Sequence, residues 1–195
     1  MKDTMDSKKV VGSFVGKYIT LAIIIGGISF ILENVVPQFV NWDFTSALLI
    51  YQTVLFIVST LLTITIALKW AIKGEKIETK EDAKKISKPV QTLLIIIALL
   101  VMSVNVIYYC GIIASYLKDA EKKYVPADGT MSEYQATRLE LENEKIYAIS
   151  GFYLSAKEIV TILVYAYAVV YVEMMLENEV PEKNKTSKKK ETEKA

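Results

Sequence analysis

YITLAIIIGGISFILENVVPQFV, residues 18–40, decides which solvent this chain folds in. From Tyr18 to Leu32 it carries no charge, and its first ionised side chain is Glu33. An apolar helix of roughly 20 residues crosses the ~30 Å hydrocarbon core of a bilayer, so this stretch reads as a membrane span. Three further blocks of the same kind follow at 44–70, 90–117 and 149–176. The charged residues lie almost wholly between the blocks. A helical bundle in water would instead repeat charges on its outer face at every turn. The sequence therefore predicts an all-α integral membrane protein, a four-transmembrane-helix bundle in contact with the lipid bilayer.

The distribution of basic residues predicts the orientation. Lysines near span ends favour the cytoplasmic side. Four lie before the first span, seven between Lys69 and Lys88, and six in the tail. The third connection has only Lys118, Lys122, Lys123, Arg138 and Lys145. So 17 basic residues fall on one side and five on the other, with Lys157 set aside. Both termini are expected in the cytoplasm. Residues 1–17 then form a cytoplasmic N-terminal segment, and 118–148 an extracytoplasmic helical connection. Residues 177–195 form a Lys/Glu-rich cytoplasmic tail whose composition predicts disorder. Lysines before an apolar core resemble a signal peptide, but no small-x-small cleavage pattern follows, so the first span is expected to stay uncleaved. The preference for lysine over arginine, 22 to one, points to an AT-rich bacterial genome and hence a bacterial cytoplasmic membrane.

Local punctuation adds detail. Gly12-x-x-x-Gly16 has the spacing that lets helices approach closely, although it precedes the main span. Trp42 and Trp70 bracket span 2 and are expected in opposite interfacial belts. Thr79-x-x-Asp82 has the form of a capping box, and Pro89 is expected in the first turn of span 3. Pro126-Ala-Asp-Gly129 signals a turn. Thr130-x-x-Glu133 is expected to open a helix that runs into span 4, with Arg138 and Glu142 paired at i, i+4 and Gly151 marking a bend.

Several chemistries are excluded by composition. With no histidine, Ser-His-Asp triads, His-ligated haem and HExxH zinc sites cannot be built. One cysteine, Cys110, allows neither a CxxC pair nor an intramolecular disulfide. No phosphate-binding glycine loop occurs. The chain is read as non-catalytic, with no cofactor, no metal and no nucleic-acid partner.

What chemistry remains is polar residues inside spans. Glu33 lies about 10 Å in from the outer end of span 1, and Ser29, Gly26 and Ala22 share its face. A carboxylate at membrane depth is costly and usually meets a partner or a cavity. Two readings stand: an inward-facing functional acid, or the ragged outer end of the helix before Pro37. In span 2, Gln52, Ser59 and Thr63 share a face. In span 3, Asn105 shares one with Ala98, Met102 and Tyr109. Lys157 and Glu158 sit two turns into span 4. By depth, Glu33, Asn34, Gln52, Asn105, Tyr109, Lys157 and Glu158 form a candidate outward-facing polar pocket, with Glu33 expected to meet Lys157. The alternative is interhelical hydrogen bonding by Asn and Gln, with Lys157 snorkelling outward. The tyrosines of span 4, Tyr165, Tyr167 and Tyr171, read as packing and interface residues. Two functions fit: an accessory or structural subunit of a membrane complex, bound to a membrane-protein partner or to further copies of itself, or a small transporter or channel component using the pocket.

Overall fold

The computed structural model describes residues 6–40, 46–126 and 129–181. Among them are four helices and no strand: α1 Ser7–Val40, α2 Ser46–Ile72, α3 Lys80–Tyr124 and α4 Glu133–Asn178. All four are long and apolar enough to cross a membrane. At 1.5 Å per residue, α3 and α4 are each nearly 70 Å long, more than twice the hydrocarbon thickness. The polar stretch 118–148 is therefore mostly a continuation of the two helices. Trp42 and the tail 182–195 lie outside the described residues.

The helix ends follow from local chemistry. Asp6 accepts the backbone N–H groups of Lys8 and Lys9 at 3.1 and 3.3 Å and so starts α1. The helix thus begins at Ser7, and the segment before span 1 is its first turns. After α2, Gly74 adopts φ 89°, a left-handed conformation suited to glycine, and Glu75 N–H reaches the Ile72 carbonyl. The Asp82 N–H donates to the Thr79 hydroxyl at 3.2 Å, and that hydroxyl donates to the Asp82 carboxylate at 2.8 Å. The hydroxyl's hydrogen bond holds the Asp82 carboxyl below its ordinary range. Because this cap starts α3 at Lys80, Pro89 lies inside the helix and not in its first turn.

The cap of α4 also differs from expectation. Ser132, not Thr130, opens it: Gln135 N–H donates to Ser132 Oγ at 3.3 Å, and Ser132 N–H donates to Gln135 Oε1 at 3.0 Å. Arg138 turns back to Tyr134, with Nε 3.1 Å from the hydroxyl, rather than forward to Glu142. The helix continues unbroken through Gly151. Gly129 closes the turn from Pro126 with φ 76°.

The chain divides into two compact units. The first comprises residues 1–97 and 163–195, the second 98–162. The first holds a packed apolar core. Rows at four-residue spacing come from each helix: Val10 and Phe14; Ile64 and Leu68; Ile86, Val90 and Leu94; Ala168, Val172 and Leu176, with Val180 just past the end of α4. Helices α1 and α2 pack together, and Tyr51 OH donates to the Leu32 carbonyl. The Tyr18 and Tyr165 hydroxyls meet at 3.3 Å, and Gln91 donates to the Val169 carbonyl at 3.0 Å. Ion pairs Lys9–Glu75 and Lys80–Glu177 frame the core. Beyond it the helices expose apolar stripes, including Ile23, Ile24 and Phe30 on α1 and Ile50, Val54, Val58 and Leu62 on α2. In water such stripes would be a liability; hydrocarbon solvates them. The glycines of α1 do not mark a close approach: a Cβ at Gly12, Gly16 or Gly26 would meet open space.

The second unit is a helical hairpin made from the end of α3 and the start of α4. Its buried residues are Tyr109, Ala120, Ser150 and Thr161, a far thinner interior than that of the first unit.

Candidate functional site

The seven candidate residues divide between the units. Glu33, Asn34 and Gln52 belong to the first; Asn105, Tyr109, Lys157 and Glu158 belong to the second. The side chain of Asn34 lies outside the described residues. Glu33 is half-buried on α1. The stripe expected to press it against a neighbour is only partly enclosed, since Gly26, two turns before it, is exposed.

On α2, Gln52 is half-buried. The hydroxyls that share its face are spent on their own helix: Ser59 Oγ donates to the Phe56 carbonyl at 3.1 Å and Thr63 Oγ1 to the Ser59 carbonyl at 2.7 Å. Such back-bonding satisfies a polar side chain in lipid without a partner helix. It leaves these two hydroxyls with a structural role.

The second unit brings two of its candidates, Tyr109 and Lys157, together. On α3, Ala98, Met102, Asn105 and Tyr109 follow one face and are all at least half-buried, as their spacing predicts. On α4, the Lys157 ammonium stands 5.9 Å above the Tyr109 ring. At that distance the attraction is weak but places a cation on the ring face. Tyr108 meets the Tyr109 ring edge-on at 5.7 Å. The Lys157 carbonyl accepts the Thr161 hydroxyl at 2.8 Å.

Glu158 is the unusual member. Both carboxylate oxygens are buried, and neither has a hydrogen-bond partner among the described residues. The Oδ1 of Asn143 is in the same condition on the same helix. Buried polar atoms are normally paired, because leaving one unmet costs roughly 1–3 kcal/mol. Asn143, Ser150 and Lys157 recur at seven-residue spacing, so the inner row of α4 is polar well outside its apolar block. Reading polar residues only within the apolar block misses this row; counting the heptad from Lys157 backwards finds it.

Two surface depressions lie elsewhere. One of about 290 Å³ is lined by Ile72, Ile77, Glu78, Glu179 and their neighbours. Another, of about 480 Å³, lies between Tyr124 and the Arg138–Lys145 face of α4. None of the seven candidates lines either. Among the described residues no three His, Cys, Asp or Glu side chains gather as a metal ion would need.

No protein-family model matches this chain, and no curated protein or solved structure matches it.

Proposed function

We propose that this chain is a non-catalytic accessory or structural subunit of a membrane complex, and that its hairpin is where a partner binds. The observation that carries this reading is the contrast between the units. Among the described residues, every fully buried large apolar side chain, from Val10 to Val180, belongs to the first unit. The hairpin instead exposes Tyr134, Leu141 and Tyr147 along a segment too rich in charge for hydrocarbon. It also leaves Asn143 and Glu158 unmet inside. Exposed apolar side chains rimmed by charge mark protein contacts, and a partner's donors satisfy orphaned acceptors.

In this reading the helices form a four-helix bundle in a bacterial cytoplasmic membrane. Both termini are cytoplasmic and the hairpin tip is outside, on the strength of the lysine asymmetry. Accessibility labelling checks that orientation. In a Cys110→Ala background, Met131→Cys is expected to react with an impermeant thiol reagent on intact cells, and Lys76→Cys only after lysis. The reverse pattern inverts the topology.

A small transporter or channel component is the second reading. The buried Glu158 carboxylate and the Lys157–Tyr109 contact, both in apolar helices, favour it, since ionisable groups there are otherwise costly. Purification from native membranes in mild detergent separates the two. A stoichiometric foreign protein, lost on Leu141→Ala with Tyr147→Ala, is the expected result. A homo-oligomer retaining a solute or ion would favour transport.

A further inference from the structure

We propose that Lys17, Lys69 and Lys73 hold the headgroup of an anionic phospholipid beside Trp70. The inference rests on the helices lying in a bilayer, and concerns a site distinct from the hairpin. Lys69 shares the face of α2 that exposes Val58 and Leu62, and Lys73 follows directly after the helix ends at Ile72. Lys69 stands seven residues beyond Leu62, about 10 Å along the axis, and Lys73 lies in the turn beyond the helix end. That is the depth of the headgroup layer above an apolar stripe. Trp70, half exposed, sits between them, where an indole prefers the interface.

Lys17 joins them from α1. Its ammonium donates to the Trp70 carbonyl, one of the unpaired carbonyls in the last turn of α2. This fixes the third cation at the same level while leaving two of its N–H donors for a ligand. The charges are not neutralised nearby. Lys69 and Lys73 form no ion pair among the described residues, and the adjacent Glu75 is paired with Lys9 at 3.6 Å. Helix α4 shows the opposite arrangement. Its exposed stripe of Val170 and Met174 meets Glu173, and Glu177 is held by Lys80. The basic level is thus not a property of every helix end. A phosphodiester with one negative charge and acyl chains lying on the Val58–Leu62 stripe matches both halves of the surface. Lysines close to an anionic leaflet each raise binding about fivefold.

Trp70 is a built-in reporter. The full chain carrying Trp42→Phe is reconstituted in phosphatidylcholine bilayers containing an equal small share of brominated phosphatidylglycerol or brominated phosphatidylcholine. Stronger quenching of Trp70 by the brominated phosphatidylglycerol is expected, declining as sodium chloride is raised. Lys69→Gln with Lys73→Gln should cut that preference by about tenfold or more, with quenching by the brominated phosphatidylcholine unchanged as proof of insertion. Lys84→Gln with Lys88→Gln should leave it intact. Equal quenching by the two lipids in the chain with its lysines intact overturns the proposal, as does a preference that ignores salt. Loss of the preference on adding inorganic phosphate at constant ionic strength also overturns it, because the site would then take free phosphate.

Discussion

Phe14→Ala should be among the most damaging single substitutions in this chain, lowering stability by about 3–5 kcal/mol. Phe14 is fully buried in the first unit, near Lys8, Lys9 and Lys17. Its surroundings when unfolded include water, so the truncation loses transfer free energy and leaves a cavity as well. Ile23, on the same helix, is 71% exposed and belongs to the apolar stripe of α1. Lipid tails solvate it before and after folding, so Ile23→Ala should cost about 0.5 kcal/mol or less. Denaturation in mixed micelles compares the two. Equal losses would mean that the N-terminal turns of α1 are not part of the core.

Glu158→Met should have the opposite sign and raise the stability of the isolated chain by about 1–3 kcal/mol. The substitution removes two buried oxygens that meet no donor and keeps the length of the side chain. Glu158→Gln keeps a buried polar group and should gain much less. Sites that break the rule of polar satisfaction often do so for function. The stabilised variant should therefore bind its partner, or move its solute, less well. A Glu158→Met chain that is no more stable than its parent would mean that water already satisfies the carboxylate.

The helices were legible because the apolar blocks are long and uninterrupted. Their true lengths were not. Lys8, Lys9 and Lys17 break the hydropathy of residues 7–17, yet Val10, Phe14, Tyr18 and Leu21 continue one face through them. A core that lies beside charged positions is carried by spacing and hidden from averages. The two capping boxes make the same point. Thr79-x-x-Asp82 stood alone and was readable. Thr130-x-x-Glu133 and Ser132-x-x-Gln135 compete within five residues, and side-chain geometry chose the second. Pro89 argued for a helix start, but the Thr79 cap and the buried Ala83 and Ile86 extend α3 ahead of it. For the site, depth along a span puts Tyr109 and Lys157 at one level, and these two side chains meet. Glu33 and Gln52, placed at the same depth by the same reasoning, lie in the other unit. Depth is a single coordinate, and which helices face one another at that depth is fixed by packing that no local pattern encodes.

The uneven burial also sets a hierarchy in time. Amides behind the Leu68, Val90 and Leu176 rows can exchange with solvent only when the first unit opens as a whole. Those of residues 133–148 are held by their own helical hydrogen bonds and little else. Segments with few buried contacts open at low free energy and close again quickly. The hairpin tip thus samples frayed forms many times within one lifetime of the core, and a partner that clasps it would slow that local clock without touching the slower one.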